Sequence, residues 1–182
     1  MIHVYLMPGM AANPSIFEYL KLPDTQFSLH PLSWKIPEAN DTLEIYAKKM
    51  LEEVKEDNPV LIGVSFGGVI VQEMAKYITT KKTIIISSVK SKNELPKRMR
   101  FSRALGLYRI APVSLVRNID TLANYAIGDR LKHKVALYQK YLSITNPIYL
   151  NWALQQMLCW EQTEYNEDLV HIHGTDDPVF PY

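Results

Sequence analysis

The stretch that decides the fold is residues 59–77, PVLIGVSFGGVIVQEMAKY. Pro59–Ile62 opens it as a short apolar run whose Val, Leu and Ile content reads as a buried strand. The run meets Gly63-Val64-Ser65-Phe66-Gly67, a G-x-S-x-G, with Gly68 directly behind it. From Gly67 the apolar spacing turns helical, through Val69, Ile70, Met74, Ala75, Tyr77 and Ile78. The pattern is strand, tight turn, helix, with a serine at the turn. Such a turn holds the serine in a strained backbone conformation. A side chain two positions either side would keep strand and helix apart, so glycine suits both places. The helix begins just after Ser65, and its positive end faces any anion that forms there.

The same alternation extends outward. Ile2–Met7 reads as a buried strand, followed by the small-residue loop Pro8-Gly9-Met10-Ala11-Ala12. Asn13 is placed to cap a short helix with Pro14 at its first position and Pro23 as its stop. Residues 26–34 read as a second strand. Asp41 and Glu44 have capping-box spacing. Leu43, Tyr46, Ala47, Met50, Leu51 and Val54 then recur at intervals of three and four, the clearest amphipathic helix in the chain. Thr83–Ser88 is a further buried strand and Leu169–His173 another. Strands alternating with helices imply an α/β fold, a mostly parallel sheet with helices on both faces.

From about Asn93 to Trp160 the pattern carries only helical periods, with candidates at 96–108, 113–127, 131–142 and 147–160, and residues 91–166 mark the bounds of the insertion. This segment reads as a helical cap inserted within a single domain spanning 1–182. It holds Phe101, Tyr108, Tyr125, Tyr138, Tyr141, Tyr149, Trp152 and Trp160. Two readings stand: the rings pack the insertion itself, or a few line an apolar pocket above Ser65.

Composition narrows the function. With 47% hydrophobic and 21% charged residues in 182, the chain is that of a globular domain. A net charge of +1 gives no global pull toward nucleic acid or an anionic membrane, so neither is expected as a partner. One cysteine, Cys159, allows no intrachain disulfide; with no secretory leader in the opening IHVYLM, a cytoplasmic location is expected. The expected partner is a small-molecule substrate. Lys90, Lys92, Lys97, Arg98, Arg100 and Arg103 cluster before the cap, as a solvated helix face or as a seat for an anionic substrate tail.

Serine is a poor nucleophile until a base, usually a histidine oriented by a carboxylate, takes its proton. Asp176 and Asp177 lie in a loop after the last strand, the edge at which Ser65 emerges. An oxyanion needs backbone donors. The N–H of Phe66 and that of Met10, after the first strand, are suitably placed in the sequence. Five of the seven glycines (Gly9, Gly63, Gly67, Gly68 and Gly174) fall in these three loops.

MPGMA after the first strand, GVSFGG at the turn and HGTDDPVFP after the last strand resemble the α/β-hydrolase superfamily, as a small serine hydrolase with a helical cap. The likeness covers the sheet portions, roughly residues 1–90 and 168–182. It implies Ser65 as nucleophile, Asp177 as acid, and Met10 and Phe66 as the oxyanion hole, with Asp176 one place before the matching position. It implies cleavage of an ester-like bond through an acyl-enzyme, and no cofactor or metal. The family places its catalytic histidine after the acid, beyond one more strand, and none follows Asp177 here. Relative to that pattern the fold is incomplete at its carboxyl end, lacking a strand, the histidine and a closing helix. Three accounts are open: the native chain continues past Tyr182, the protein is a catalytically silent ligand-binding relative, or an upstream histidine serves. Of the five, His3 and His30 sit in strands, His133 on a polar helix side, and His171 and His173 share one face of the last strand. His173 is the one that could approach the site. His-x-His with the two aspartates also raises a metal site, which we do not assign.

Overall fold

The computed structural model describes residues 1–106, 137, 140–177, 179 and 180. Five strands form one sheet: β1 (Ile2–Met7), β2 (Phe27–Pro31), β3 (Val60–Val64), β4 (Lys82–Ile86) and β5 (Val170–Ile172). Their order is β2-β1-β3-β4-β5, and every neighbouring pair is parallel. Four α-helices are described: α1 (Leu43–Leu51), α2 (Phe66–Met74), α3 (Lys97–Ala104) and α4 (Pro147–Cys159). The expected strands and the helices at 43–51, 66–74, 97–104 and 147–159 are all present. The helix periods at 113–127 and 131–142, together with His133, lie wholly or mostly outside the described residues.

Two local expectations are corrected. The segment after Asn13 forms only a 3-10 turn, Pro14–Phe17, with i to i+3 bonds from Glu18 N to Ser15 O at 3.0 Å and Leu20 N to Phe17 O at 2.9 Å. Helix α1 is capped by Thr42, whose side chain accepts from the Ile45 N–H at 3.2 Å, and not by Asp41. Asp41 is buried one residue earlier. Its carboxylate takes the Lys49 ammonium at 2.8 Å and the Glu38 N–H at 2.9 Å. Burial raises the Asp41 pKa, but these bonds and the lysine charge outweigh it, so the carboxyl is held below its ordinary value.

Alternation along each strand makes two apolar faces. Tyr5, Met7, Leu61 and Ile85 join a large cluster with Tyr46 and Met50 of α1, Ile70 and Met74 of α2, and Tyr149 and Ala153 of α4. Helix α4 therefore belongs to the main core although it comes from the cap stretch. Its Trp160 neighbour donates Nε1–H to buried Glu73 at 2.7 Å. Fewer described residues cover the opposite face. Val4, Leu6 and Val60 cluster there with Ile62 and Ile84, and with Phe17 and Leu22 after the first loop. No α-helical residue is a member of that cluster among the described residues.

The chain leaves β1 toward β2 on one side, and enters β3 and then β4 on the other. Strand order thus reverses between β1 and β3. In open parallel sheets the crevice outside the carboxyl ends of the strands at that reversal is where ligands bind. Met7 ends β1 and Val64 ends β3, so Pro8–Met10 and Ser65 both open onto this crevice.

Candidate active site

Ser65 has φ 52° and ψ −121°, a left-handed conformation that few non-glycine residues adopt. Holding it there costs on the order of 1–3 kcal/mol, which the surroundings must offset. They do so through three hydrogen bonds on its own backbone. The Ser65 N–H donates to Ile86 O at 2.9 Å, extending the β3–β4 ladder by one residue. The Ser65 carbonyl accepts from Gly68 N at 2.9 Å and from the Ser88 hydroxyl at 2.7 Å.

The glycines around it are required by close approach. A methyl at Gly63 would lie 2.2 Å from Gly67 O, and one at Gly67 would lie 2.3 Å from Pro8 O and 2.5 Å from Met7 O. A methyl at Gly68 would strike the Ser88 hydroxyl at 2.4 Å, so Gly68 clears the path for the Ser88–Ser65 bond. A methyl at Gly9 would stand 3.5 Å from the Ser65 Cβ, which puts the loop after β1 directly against the serine.

That loop is fixed from the core side. The Gly9 carbonyl accepts from the Trp34 indole N–H at 2.9 Å and from Ala12 N at 3.0 Å. Because the Gly9–Met10 peptide is planar and trans, the Met10 N–H points the opposite way, away from Trp34. Ala11 takes φ 63° to turn the chain back. Residues 140–146 then latch the loop from outside. Ile144 N donates to Ala11 O at 3.0 Å and Asn13 N to Tyr141 O at 2.8 Å, while the Asn13 amide reaches Lys140 O and the Ser143 hydroxyl. Phe66 is the first residue of α2, where helix amides lack an intrahelical acceptor. Its ring is buried and stacks on Trp34, centroids 5.4 Å apart.

Asp177 is half-buried at the far end of the strand edge. Its Oδ1 accepts from Val179 N at 2.8 Å and Phe180 N at 3.0 Å. Burial pushes its pKa up; the Phe180 and Val179 amides, the Ser87 side chain and His173 together bring it below the ordinary carboxylate value. Ser87 neighbours Ser88, so the two carrier loops of Ser65 and Asp177 touch through consecutive residues. Asp176 is exposed.

His173 does not line the cavity at Ser65. Its Nε2 lies 2.6 Å from Phe180 O, and its Nδ1 lies 3.0 Å from His171 Nε2. A carbonyl can only accept, so the neutral His173 carries its proton on Nε2 and receives a bond from His171 at Nδ1. Asp177 Oδ2 stands 3.9 Å from the same Nε2. Burial, and then the charge of His173, hold His171 below its ordinary pKa. His3 and His30 bond each other at 3.0 Å across β1 and β2. Among the described residues no group of three or more His, Cys, Asp or Glu is placed to hold a metal.

Ser65 opens onto a cavity of about 670 Å³. Gly9 and Met10 share its mouth; its floor is Ile62 and Val64 of β3, Ile84 and Ile86 of β4, and Ile172. Among the described residues, no aromatic of the 91–166 stretch lines it. Tyr149, Trp152 and Trp160 instead pack with the core, Phe101 is exposed, and Tyr108, Tyr125 and Tyr138 lie outside the described residues. Four of the six basic residues make specific contacts: Lys92 and Arg103 both meet Glu161, Lys90 meets Glu94 at 3.3 Å, and Arg98 donates to Val179 O at 2.8 Å. Trp34 and Ser88 were not singled out by sequence reasoning. No helix among the described residues is long and apolar enough to cross a membrane.

No protein-family model and no curated protein matches this chain. Solved structures do. An extracellular α/β-hydrolase from a Paenibacillus species is 15% identical with a TM-score of 0.62, covering 100% of this chain and 81% of its own. A lipase-esterase related protein from Clostridium acetobutylicum is 16% identical with a TM-score of 0.66, covering 98% and 76%. The RedJ thioesterase of Streptomyces coelicolor is 15% identical with a TM-score of 0.61, covering 99% and 69%. The chain has the α/β-hydrolase fold.

Proposed function

We propose that this chain is a serine hydrolase that cleaves an ester-like bond of a small apolar substrate. Ser65 Oγ attacks the carbonyl and forms an acyl-enzyme. The carbonyl oxygen, now an oxyanion, is received by the N–H groups of Met10 and Phe66. The leaving group departs with a proton, and water then releases the acid and regenerates the serine. Asp177 is the carboxylate that orients the base. The observation that carries this reading is Ser65 itself: a left-handed residue at the end of β3 and the start of α2, at the strand-order reversal, against the Gly9–Met10 loop. A serine needing only a turn would not need that conformation. The stretch 91–166 acts as the cap, with residues 140–146 holding the Met10 loop.

The base is the part that the lining of the Ser65 cavity does not supply among the described residues. The enzymatic reading therefore requires a histidine that the described lining does not show, either one beyond Tyr182, where the family's order would put it, or an upstream one such as His133, which lies outside the described residues. His173 is bonded to Phe180 O and His171, which favours a second reading, a ligand-binding protein on the same scaffold without turnover. One experiment separates them. A fluorophosphonate probe should label Ser65 in the full-length gene product and leave the Ser65→Ala variant unlabelled. Full-length protein that resists the probe and cleaves no activated ester is the binding protein, and the hydrolase reading is lost.

A further inference from the structure

The loop that carries Asp177 is closed by a histidine that the proposed chemistry does not use. Ser87 N donates to Ile172 O at 2.9 Å, which fixes the peptide leading into His173 against the loop after β4. The chain then turns through Gly174–Asp177, where Asp177 N donates to Gly174 O at 3.2 Å. Gly174, Thr175 and Asp176 are exposed, while the Phe180 ring is buried in the main core. Phe180 is also held at both polar groups of its backbone. Its N–H donates to Asp177 Oδ1 at 3.0 Å, and its carbonyl accepts from His173 Nε2 at 2.6 Å. The His173 side chain is itself only 7% exposed.

We infer that His173 is a positioning residue for Asp177, acting through the backbone of Phe180, with His171 as the residue that fixes its tautomer. A carboxylate that orients a base has to be held to within about half an ångström. His173 does not bond the carboxylate directly, because Asp177 Oδ2 stands 3.9 Å from Nε2, past hydrogen-bond length. The link runs instead from Nε2–H to Phe180 O, across one residue, and from Phe180 N–H to Asp177 Oδ1. His171, two places earlier in the chain, gives its Nε2–H to His173 Nδ1 at 3.0 Å. That bond occupies the lone pair of the neutral His173 ring and leaves its proton on Nε2, where Phe180 O requires it. His173 then has no lone pair with which to take a proton from Ser65, so it serves the site by holding and not by proton transfer. Burial raises the Asp177 pKa, and the Phe180 amide is the foremost of the groups that lower it. The residue that His173 holds is thus the one on which the carboxylate most depends. The inference rests on the hydrolase reading only for the task that Asp177 performs.

The full-length gene product and its His173→Gln, His173→Leu and His171→Leu variants test it without requiring turnover. Glutamine keeps an amide donor at the reach of Nε2 and carries no charge; leucine keeps bulk alone. Side-chain carboxyl carbon NMR reads the titration of Asp177, and hydrogen exchange reads the Phe180 amide. In His173→Leu, Asp177 should titrate at higher pH and the Phe180 amide should exchange up to about tenfold faster, the factor of one lost hydrogen bond. His173→Gln should stay close to the parent in both. His171→Leu, which unpins the tautomer without touching Phe180, should move both in the same direction by less. An Asp177 titration unmoved by His173→Leu overturns the inference. So does a His173→Gln variant that moves it as far as leucine does, because the ring would then act by its charge. If both His173 variants fail to fold, His171→Leu decides, and a parent-like Asp177 titration in it overturns the inference. Fluorophosphonate labelling of Ser65 is the separate readout of the hydrolase; it should slow about tenfold or more in His173→Leu and recover in His173→Gln. An Asp177 that responds in this way in a protein whose Ser65 is never labelled retains the positioning role and removes the hydrolase. Labelling at the parent rate in every variant, with Asp177 unmoved, does the reverse.

Discussion

Gly67→Ala is the sharpest test of how this fold is specified. Gly67 is the second residue of α2, where the helix crosses the carboxyl end of β1. An added methyl would lie 2.3 Å from Pro8 O, 2.5 Å from Met7 O and 2.9 Å from Met7 C. Carbon contacts rest at about 3.5–4.0 Å, so the overlap is more than about 1 Å against the two oxygens. The obstructing atoms are backbone, and no rotamer change can clear them. Overpacking costs about 1–3 kcal/mol where side chains can yield, and the upper end or beyond applies where they cannot. Replacing glycine in a helix returns at most about 1 kcal/mol. The net loss is then about 2 kcal/mol or more, a fall in Tm of about 4–8 °C for a domain of this size. Urea unfolding followed by circular dichroism should show a lower midpoint with an unchanged slope. Two controls calibrate it. Gly174→Ala meets nothing within 4 Å and has no left-handed requirement, so it should fall within about 0.5 kcal/mol of the parent. Gly106→Ala also meets nothing, but its φ of 64° should cost about 1 kcal/mol. If Gly67→Ala melts within about 1 °C of the parent, strand and helix do not cross as closely as described, and the account of the Ser65 turn fails with it.

Other outcomes follow from the same geometry. Asn13→Ala removes the cap bond to Ser15 N and the two bonds to residues 140 and 143, so it should cost about 1–2 kcal/mol. Hydrogen exchange should quicken at the Asn13 and Ile144 amides before anywhere else. Trp34→Phe keeps a ring against Phe66 but deletes the donor to Gly9 O; fluorophosphonate labelling of Ser65 should slow several-fold with the melting temperature shifted by less than that of Trp34→Ala. Asp177→Asn tests pH dependence. The folded-state pKa is lowered, so the stabilisation is present above the ordinary carboxylate value and lost as pH falls through the lower folded one. Parent and variant should therefore differ most near neutrality and converge in acid; a gap constant from pH 7 to 3 would refute the assignment.

What was legible in the sequence was what local pattern encodes. The β3–Ser65–α2 turn needs a strand period, a helix period and glycines at fixed offsets, all within residues 59–77. Thr42 against Asp41 shows where local rules stop. Both are acceptable caps, and the choice was made by Lys49, eight residues on from Asp41, and by the Trp152 indole N–H, which donates to Asp41 O at 2.6 Å. Trp34 and Ser88 were missed for the same reason. Each acts on a backbone carbonyl more than twenty positions away, and nothing in its own neighbourhood announces a partner. The fate of the cap aromatics was equally non-local. Periodicity could say that Tyr149 faces inward but not that inward meant the sheet core.

Those distant contacts also explain why a strained serine can persist at this place. A left-handed Ser65 alone would relax by rotating its peptide. Here its N–H is committed to Ile86 and its carbonyl to Gly68 and Ser88. Relaxation breaks a bond to β4, to the following loop or to α2, each about 0.5–1.5 kcal/mol. Together these match the 1–3 kcal/mol of strain, so the conformation is fixed by three separate stretches of chain. The same loops carry the remaining site groups: Ser88 follows Ser87 at Asp177, and Gly9 precedes Met10. A substitution that frees the serine must therefore also displace the proposed acid or the proposed oxyanion donor. Ser88→Ala makes this measurable. It removes one bond to Ser65 O without touching Asp177, and its effect should reach the Asp177 carboxyl as a shift in acid titration. Unchanged titration at Asp177, with Ser65 loosened, would show that the two halves of the site are independent.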